Sequence, residues 1–92
     1  MTCAVFTNNK EKARAKLEEI KSIKNNLSRF YETKTELVYI FEDGVAWHWV
    51  SVNENRRGFK AKKAYIDNDI NSDMLSTIVF PSCAHCENIF YF

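Results

Sequence analysis

The residues best suited to chemistry lie in one run, Arg56-Arg57-Gly58-Phe59-Lys60-Ala61-Lys62-Lys63-Ala64-Tyr65-Ile66-Asp67-Asn68-Asp69. Forked guanidinium donors and mobile ammonium groups hold phosphates well, so Arg56, Arg57, Lys60 and Lys62 are candidate ligand or partner contacts. The run then turns apolar and ends on Asp67 and Asp69. That is the pattern of a strand delivering carboxylates to a sheet edge, a common place for ligands in α/β proteins. Asp67, Asp69 and Asp73 would suit a divalent cation, although the commoner use of such residues is to cap the next helix. Trp47, Trp49 and Tyr65 add flat faces for base stacking beside the cationic loop. Together they suit a nucleotide or oligonucleotide better than a duplex. The plainer role of Lys60, Lys62 and Lys63 is to protect an edge strand against pairing.

A second cluster is Cys83-Ala84-His85-Cys86, with Cys3 and His48 far away in the chain. Zinc needs four ligands and one Cys-x-x-Cys supplies two, so Cys3 and a histidine would have to converge on Cys83, Cys86 and His85. A redox pair would sit at a helix start after a strand, and the neighbouring Pro81 does not supply that context. A loop with free thiols is the simplest reading. His48, between two tryptophans, has no Ser or Cys nucleophile that the sequence places within reach, which makes it a core or groove histidine.

The elements that must position these groups follow from periodicity. Thr2 to Phe6 is an apolar run fit for a first strand, and Thr7-Asn8-Asn9 offers capping side chains. From Lys10 to about Phe30, Ala13, Leu17, Ile20, Ile23, Leu27 and Phe30 recur at steps of three or four, which predicts one long amphipathic helix. Glu36–Glu42 and Val45–Val52 flank Asp43-Gly44, a strong signal for a hairpin with a two-residue turn. Pairing Glu42 with Val45 puts Val38, Ile40, Val45, Trp47 and Trp49 on one face, and Leu37, Tyr39, Phe41 and His48 on the other. Both faces are apolar, so both need cover. A strand from Phe59 to Asp67, a short helix with Met74, Leu75, Ile78 and Val79 buried and Pro81 as its stop, and a last strand from Asn88 to Phe92 complete the chain. The expected fold is α/β: a small sheet of about five strands with a central β-hairpin, one long N-terminal amphipathic helix and one short helix, in a single domain over residues 1–92.

A chain of 92 residues can bury one modest core, so oligomerisation to a homo-oligomer is expected to help it. The 46% hydrophobic content and the two Gly and one Pro argue against disorder. A net charge of +1 gives no global attraction to nucleic acid or membrane. The sequence shows neither a membrane-spanning run nor a signal peptide, and three cysteines read as reduced thiols, so a cytoplasmic location is expected.

The order of elements resembles part of a P-loop ATPase core, of the type found in phage terminase motors and related RecA-like enzymes. Cys3-Ala4-Val5-Phe6-Thr7 is similar to the strand after the phosphate-loop helix, Arg57-Gly58 to the Arg-Gly before the Walker B strand, and Ala64-Tyr65-Ile66-Asp67 to Walker B itself. The resemblance implies that Asp67 would hold the nucleotide's magnesium ion. Yet no Gly-x-x-x-x-Gly-Lys-Ser/Thr occurs, and Asn68 stands where such motors carry the acid that activates water. The chain therefore reads as a truncated, phage-encoded relative kept for binding rather than hydrolysis, without a cofactor. Its expected role is to inhibit a host defence system by engaging a host protein or sequestering a nucleotide ligand. Two alternatives stand beside it: a metal-dependent or vestigial nucleotide-processing enzyme using Asp67 and Asp69, and a zinc-stabilised nucleic-acid adaptor.

Overall fold

A computed structural model describes residues 1–52 and 60–92. Arg56, Arg57, Gly58 and Phe59 lie outside the described residues. The described chain folds as β1 (Thr2–Phe6), α1 (Lys10–Lys24), β2 (Leu27–Glu32), β3 (Leu37–Phe41), β4 (Ala46–Val50) and β5 (Lys63–Ile66). A continuous helical stretch follows, formed by α2 (Ser72–Met74), a π-helical turn (Leu75–Val79) and α3 (Phe80–Ser82), before β6 (Asn88–Tyr91). The strands make a mixed sheet in the order β2-β3-β4-β1-β5-β6. β1 sits inside it, parallel to both β4 and β5, while β3 runs antiparallel to β2 and β4.

Period-two alternation splits the core between the two faces of this sheet. Cys3 and Val5 pack with Ala13, Leu17 and Ile20 of α1 and with Leu37, Tyr39, Phe41, Trp47 and Trp49. Ala4 and Phe6 point the other way, to Val50, Ala64, Ile66, Ile78, Val79 and Cys83. The crossover through α1 leads toward the β2 side of the sheet, and the crossover through the second helical stretch leads toward β6 on the opposite face. Both crossovers thus have the same hand, as twisted sheets require. No helix among the described residues is long and apolar enough to cross a membrane.

Three expectations need correction. The first helix does not run to Phe30. It ends at Lys24, because Asn25 turns left-handed at φ 54° and donates its backbone N–H to Lys21 O. An Asn tolerates that conformation, so it serves as a helix stop. Leu27 and Phe30 then belong to β2, which gives six strands rather than about five.

The hairpin is shifted by one residue from the expected register. Phe41 N–H donates to Val45 O at 3.0 Å, and Gly44 takes φ 85°, so the loop is Glu42-Asp43-Gly44. Tyr39 then pairs with Trp47, and Val38 pairs with His48. A slip of one residue exchanges the faces, so Trp47 and Trp49 join Leu37, Tyr39 and Phe41 rather than Val38 and Ile40.

Pro81 does not stop the second helical stretch, which continues to Ser82. The π-helical turn just before it hydrogen-bonds Phe80 N–H to Leu75 O, and Pro81 follows directly inside the continuous stretch.

Gly44 yields a direct test. A Cβ built there meets nothing within 4 Å, so its cost would be conformational alone. Gly44→Ala is expected to lower stability by about 1 kcal/mol, seen as a lower urea midpoint with an unchanged slope.

Candidate ligand-binding groove

The carboxylate end of β5 is fully employed in holding the fold together. Asp67 is buried, and its Oδ2 accepts a hydrogen bond from Thr7 Oγ1 at 2.6 Å. Its Oδ1 accepts from Lys12 Nζ at 2.6 Å and from Asp69 N–H at 2.9 Å. Burial alone would raise the carboxyl's pKa, but the Lys12 ammonium and the Thr7 hydroxyl outweigh it and hold the group below its ordinary value. Lys12 is correspondingly raised, chiefly by its hydrogen bond to Asp67. Asp69 remains exposed and reaches Lys12 at 3.4 Å.

The residues around that carboxylate are placed by the turn after β1. Thr7 Oγ1 also accepts from Asn9 N–H, and Asn9 Oδ1 caps α1 through the N–H groups of Glu11 and Lys12. Asn8 Oδ1 accepts from Val52 N–H at 2.7 Å, and Trp49 Nε1 donates to Thr7 O at 2.8 Å. Asn8, Asn9, Lys12, Asp67, Asp69 and Ile70 border a cavity of about 210 Å³. The acidic residues do not cap the following helix, as their position suggested. Asn71 does, by accepting from Met74 N–H at 2.9 Å.

The cysteines do not converge. Cys3 is buried on the α1 face of the sheet, whereas Cys83 and Cys86 lie on the opposite face. Burial, reinforced by Cys86, pushes the Cys83 thiol up to about 12, and Cys86 Sγ donates to Ala61 O at 3.1 Å. Cys3 is raised by burial as well. His85 is exposed. Both buried thiols are thus poor nucleophiles near neutral pH.

The remaining candidates gather at the other end of the parallel strands. Trp47, Tyr65 and Phe90 come from β4, β5 and β6 onto the α1 face. Their rings form a series: Trp47 to Tyr65 at 5.6 Å, then Tyr65 to Phe90 at 5.1 Å in a stacked arrangement of 27°. α1 runs back past them, so its last turn brings Ile20, Ile23 and Lys24 to face the aromatic series. The result is a groove of about 470 Å³, rimmed by Lys24, Lys63 and Asn88. Lys24 is paired with Asp43 at 2.6 Å. Lys63 forms no ion pair among the described residues. The buried Trp47 Nε1 has no hydrogen-bond partner among them either.

Three of the other expected contacts are elsewhere. Trp49 lies beneath Lys10, whose ammonium is 5.9 Å from the ring, and it lines no part of the groove. Lys60 and Lys62 border a separate cavity of about 490 Å³ on the opposite face, with Ser82 and His85. Arg56 and Arg57 lie outside the described residues. Sequence reading missed Phe90 and Asn88 as groove residues, and it grouped Lys63 with Lys60 and Lys62 rather than with the aromatic wall. The signal was present for Phe90, an aromatic on the final strand of a parallel sheet beside Tyr65.

No family model, curated protein or solved structure matches the chain. The groove must therefore be judged on its chemistry. It offers an aromatic wall, aliphatic side chains opposite and, in Lys63, one ammonium without a carboxylate partner among the described residues. Its chemistry is suited to a flat ring bearing a negative group.

The carboxylate edge generates a pH prediction. Asp67 has a folded pKa below its ordinary 3.8, so its stabilising contribution is complete above that value and is lost as pH falls through the folded one. Asp67→Asn is expected to cost about 2 kcal/mol at neutral pH and to flatten the acid limb of a melting-temperature profile. An acid limb identical to that of the parent chain would refute this assignment.

Proposed function

We propose that this chain is a non-catalytic binding protein whose groove takes a ligand of the nucleotide class. The observation that carries the reading is the stacked Tyr65–Phe90 pair beside Trp47, facing an open groove with Lys63 at its rim. A base would stack on the aromatic wall, and a phosphate would meet the Lys63 ammonium.

The reading against catalysis rests on Asp67, whose lone pairs already go to Thr7, Lys12 and the Asp69 amide. A metal ion would have to displace the Lys12 ammonium to use that carboxylate. What favours kinship with a P-loop ATPase core is that β1 and β5 are parallel neighbours, with Asp67 leaving the end of β5. On this proposal the chain is a reduced, phage-type relative of such a core. It acts on a host defence system by sequestering a nucleotide signal rather than by consuming one.

Titration calorimetry against a panel of nucleoside mono-, di- and triphosphates and short oligonucleotides tests this directly. Binding of at least one is expected, without turnover in the presence of magnesium. Lys63→Ala and Phe90→Ala should each weaken it about tenfold, with melting temperature little changed. Absence of binding across the panel, or affinity indifferent to both substitutions, would overturn the proposal.

A further inference from the structure

The outer edge of the sheet points to a second copy of this chain. β2 is an edge strand of six residues, and from Ser28 onward every one of them is exposed. It contains no Pro or Gly, and it carries aromatic side chains on both faces, with Phe30 53% and Tyr31 50% exposed. Edges of this kind pair with other strands unless something blocks them.

The hydrogen-bond pattern shows which groups are free. Thr33 N–H donates to Glu36 O at 2.9 Å, so this is a bonded pair, and bonded pairs alternate along an antiparallel ladder. Tyr31 with Val38 and Arg29 with Ile40 are then also bonded pairs, in the observed register. The backbone N–H and C=O of Phe30 and Glu32 accordingly point away from β3, into the open edge.

We infer that β2 pairs with β2 of a second copy, antiparallel about a two-fold axis normal to the sheet. That symmetry keeps each face of the sheet on its own side, so only positions of equal parity can lie opposite each other. With Phe30 opposite the partner's Phe30, the outward amides and carbonyls of both residues bond reciprocally. Arg29 then faces the partner's Tyr31, twice. The guanidinium already lies 5.8 Å from Tyr31 of its own strand, so the pairing extends an existing cation–π contact across the interface. Like charges do not meet directly in this register. The opposite edge, β6, is shorter, at four residues, and its Phe90 ring is already stacked on Tyr65 in the groove.

The dimer is small in area, so it should form over about 1 to 100 µM. Sedimentation velocity of the full chain across that range tests it. Phe30→Pro removes the outward N–H without touching a bond to β3, and Phe30→Lys replaces the ring while keeping the amide. Each is expected to raise the dimer dissociation constant at least about tenfold, with an unchanged far-ultraviolet circular dichroism spectrum, while Phe90→Lys leaves it unaltered. A parent chain that stays monomeric throughout, or a dimer that persists in both Phe30 variants or dissociates in Phe90→Lys, would overturn the inference. Nucleotide binding and dimer formation are read separately, so either can fail without the other.

Discussion

One buried carboxylate ties together the elements on which the rest of the fold is assembled. Asp67 directly follows β5, Thr7 directly follows β1, and Lys12 lies in the first turn of α1, so their mutual bonds lock two strands and a helix at one end of the sheet. A buried charge of this kind is tolerable only when its lone pairs are met, and here three donors meet them. The same bonds fix where α1 begins and hence the line along which it returns over the sheet. Its far end, with Ile20, Ile23 and Lys24, therefore arrives opposite Trp47 and Phe90. The tie at one end builds the groove at the other.

This division explains why the carboxylates were misleading as a functional signal. The end of a parallel strand is where ligands usually sit, and a strand ending in Asp invites that assignment. Sequence shows the carboxylate but not the Lys12 ammonium that neutralises it, because the two are brought together only by folding. The cysteines show the same limit. Their spacing hints at a shared site, yet strand alternation sends Cys3 and Cys83 to opposite faces.

Much of the architecture was nonetheless legible. The α/β class, the first strand, the capping of α1 by Asn9, the hairpin and the final strand all follow from periodicity and turn residues. The errors share a cause in short-range ambiguity. Leu27 and Phe30 continue a three-four spacing, so only Asn25-Asn26 marked the helix end. Asp43-Gly44 fits a two-residue turn, but the third loop residue, Glu42, moved the register and exchanged the faces of Val38 and Tyr39. Of the candidate contacts, Trp47 and Tyr65 lie side by side in the groove. Lys60 and Lys62 border the opposite face, because Lys62 continues the β5 ladder beside Thr2, where alternation points it away from Lys63 and Tyr65.

The π-helical turn at Leu75–Val79 sets the rotational phase of the helical residues that follow it. Such a turn is what an α-helix becomes when it absorbs one extra residue. Met74 packs on the core just before it, Ile78 and Val79 are buried within it, and Ser82 and Cys83 are buried just after it. A helix shortened by that residue would rotate everything beyond it by about 100° and carry Ser82 and Cys83 off the sheet. The length of the stretch is therefore as tightly constrained as its composition.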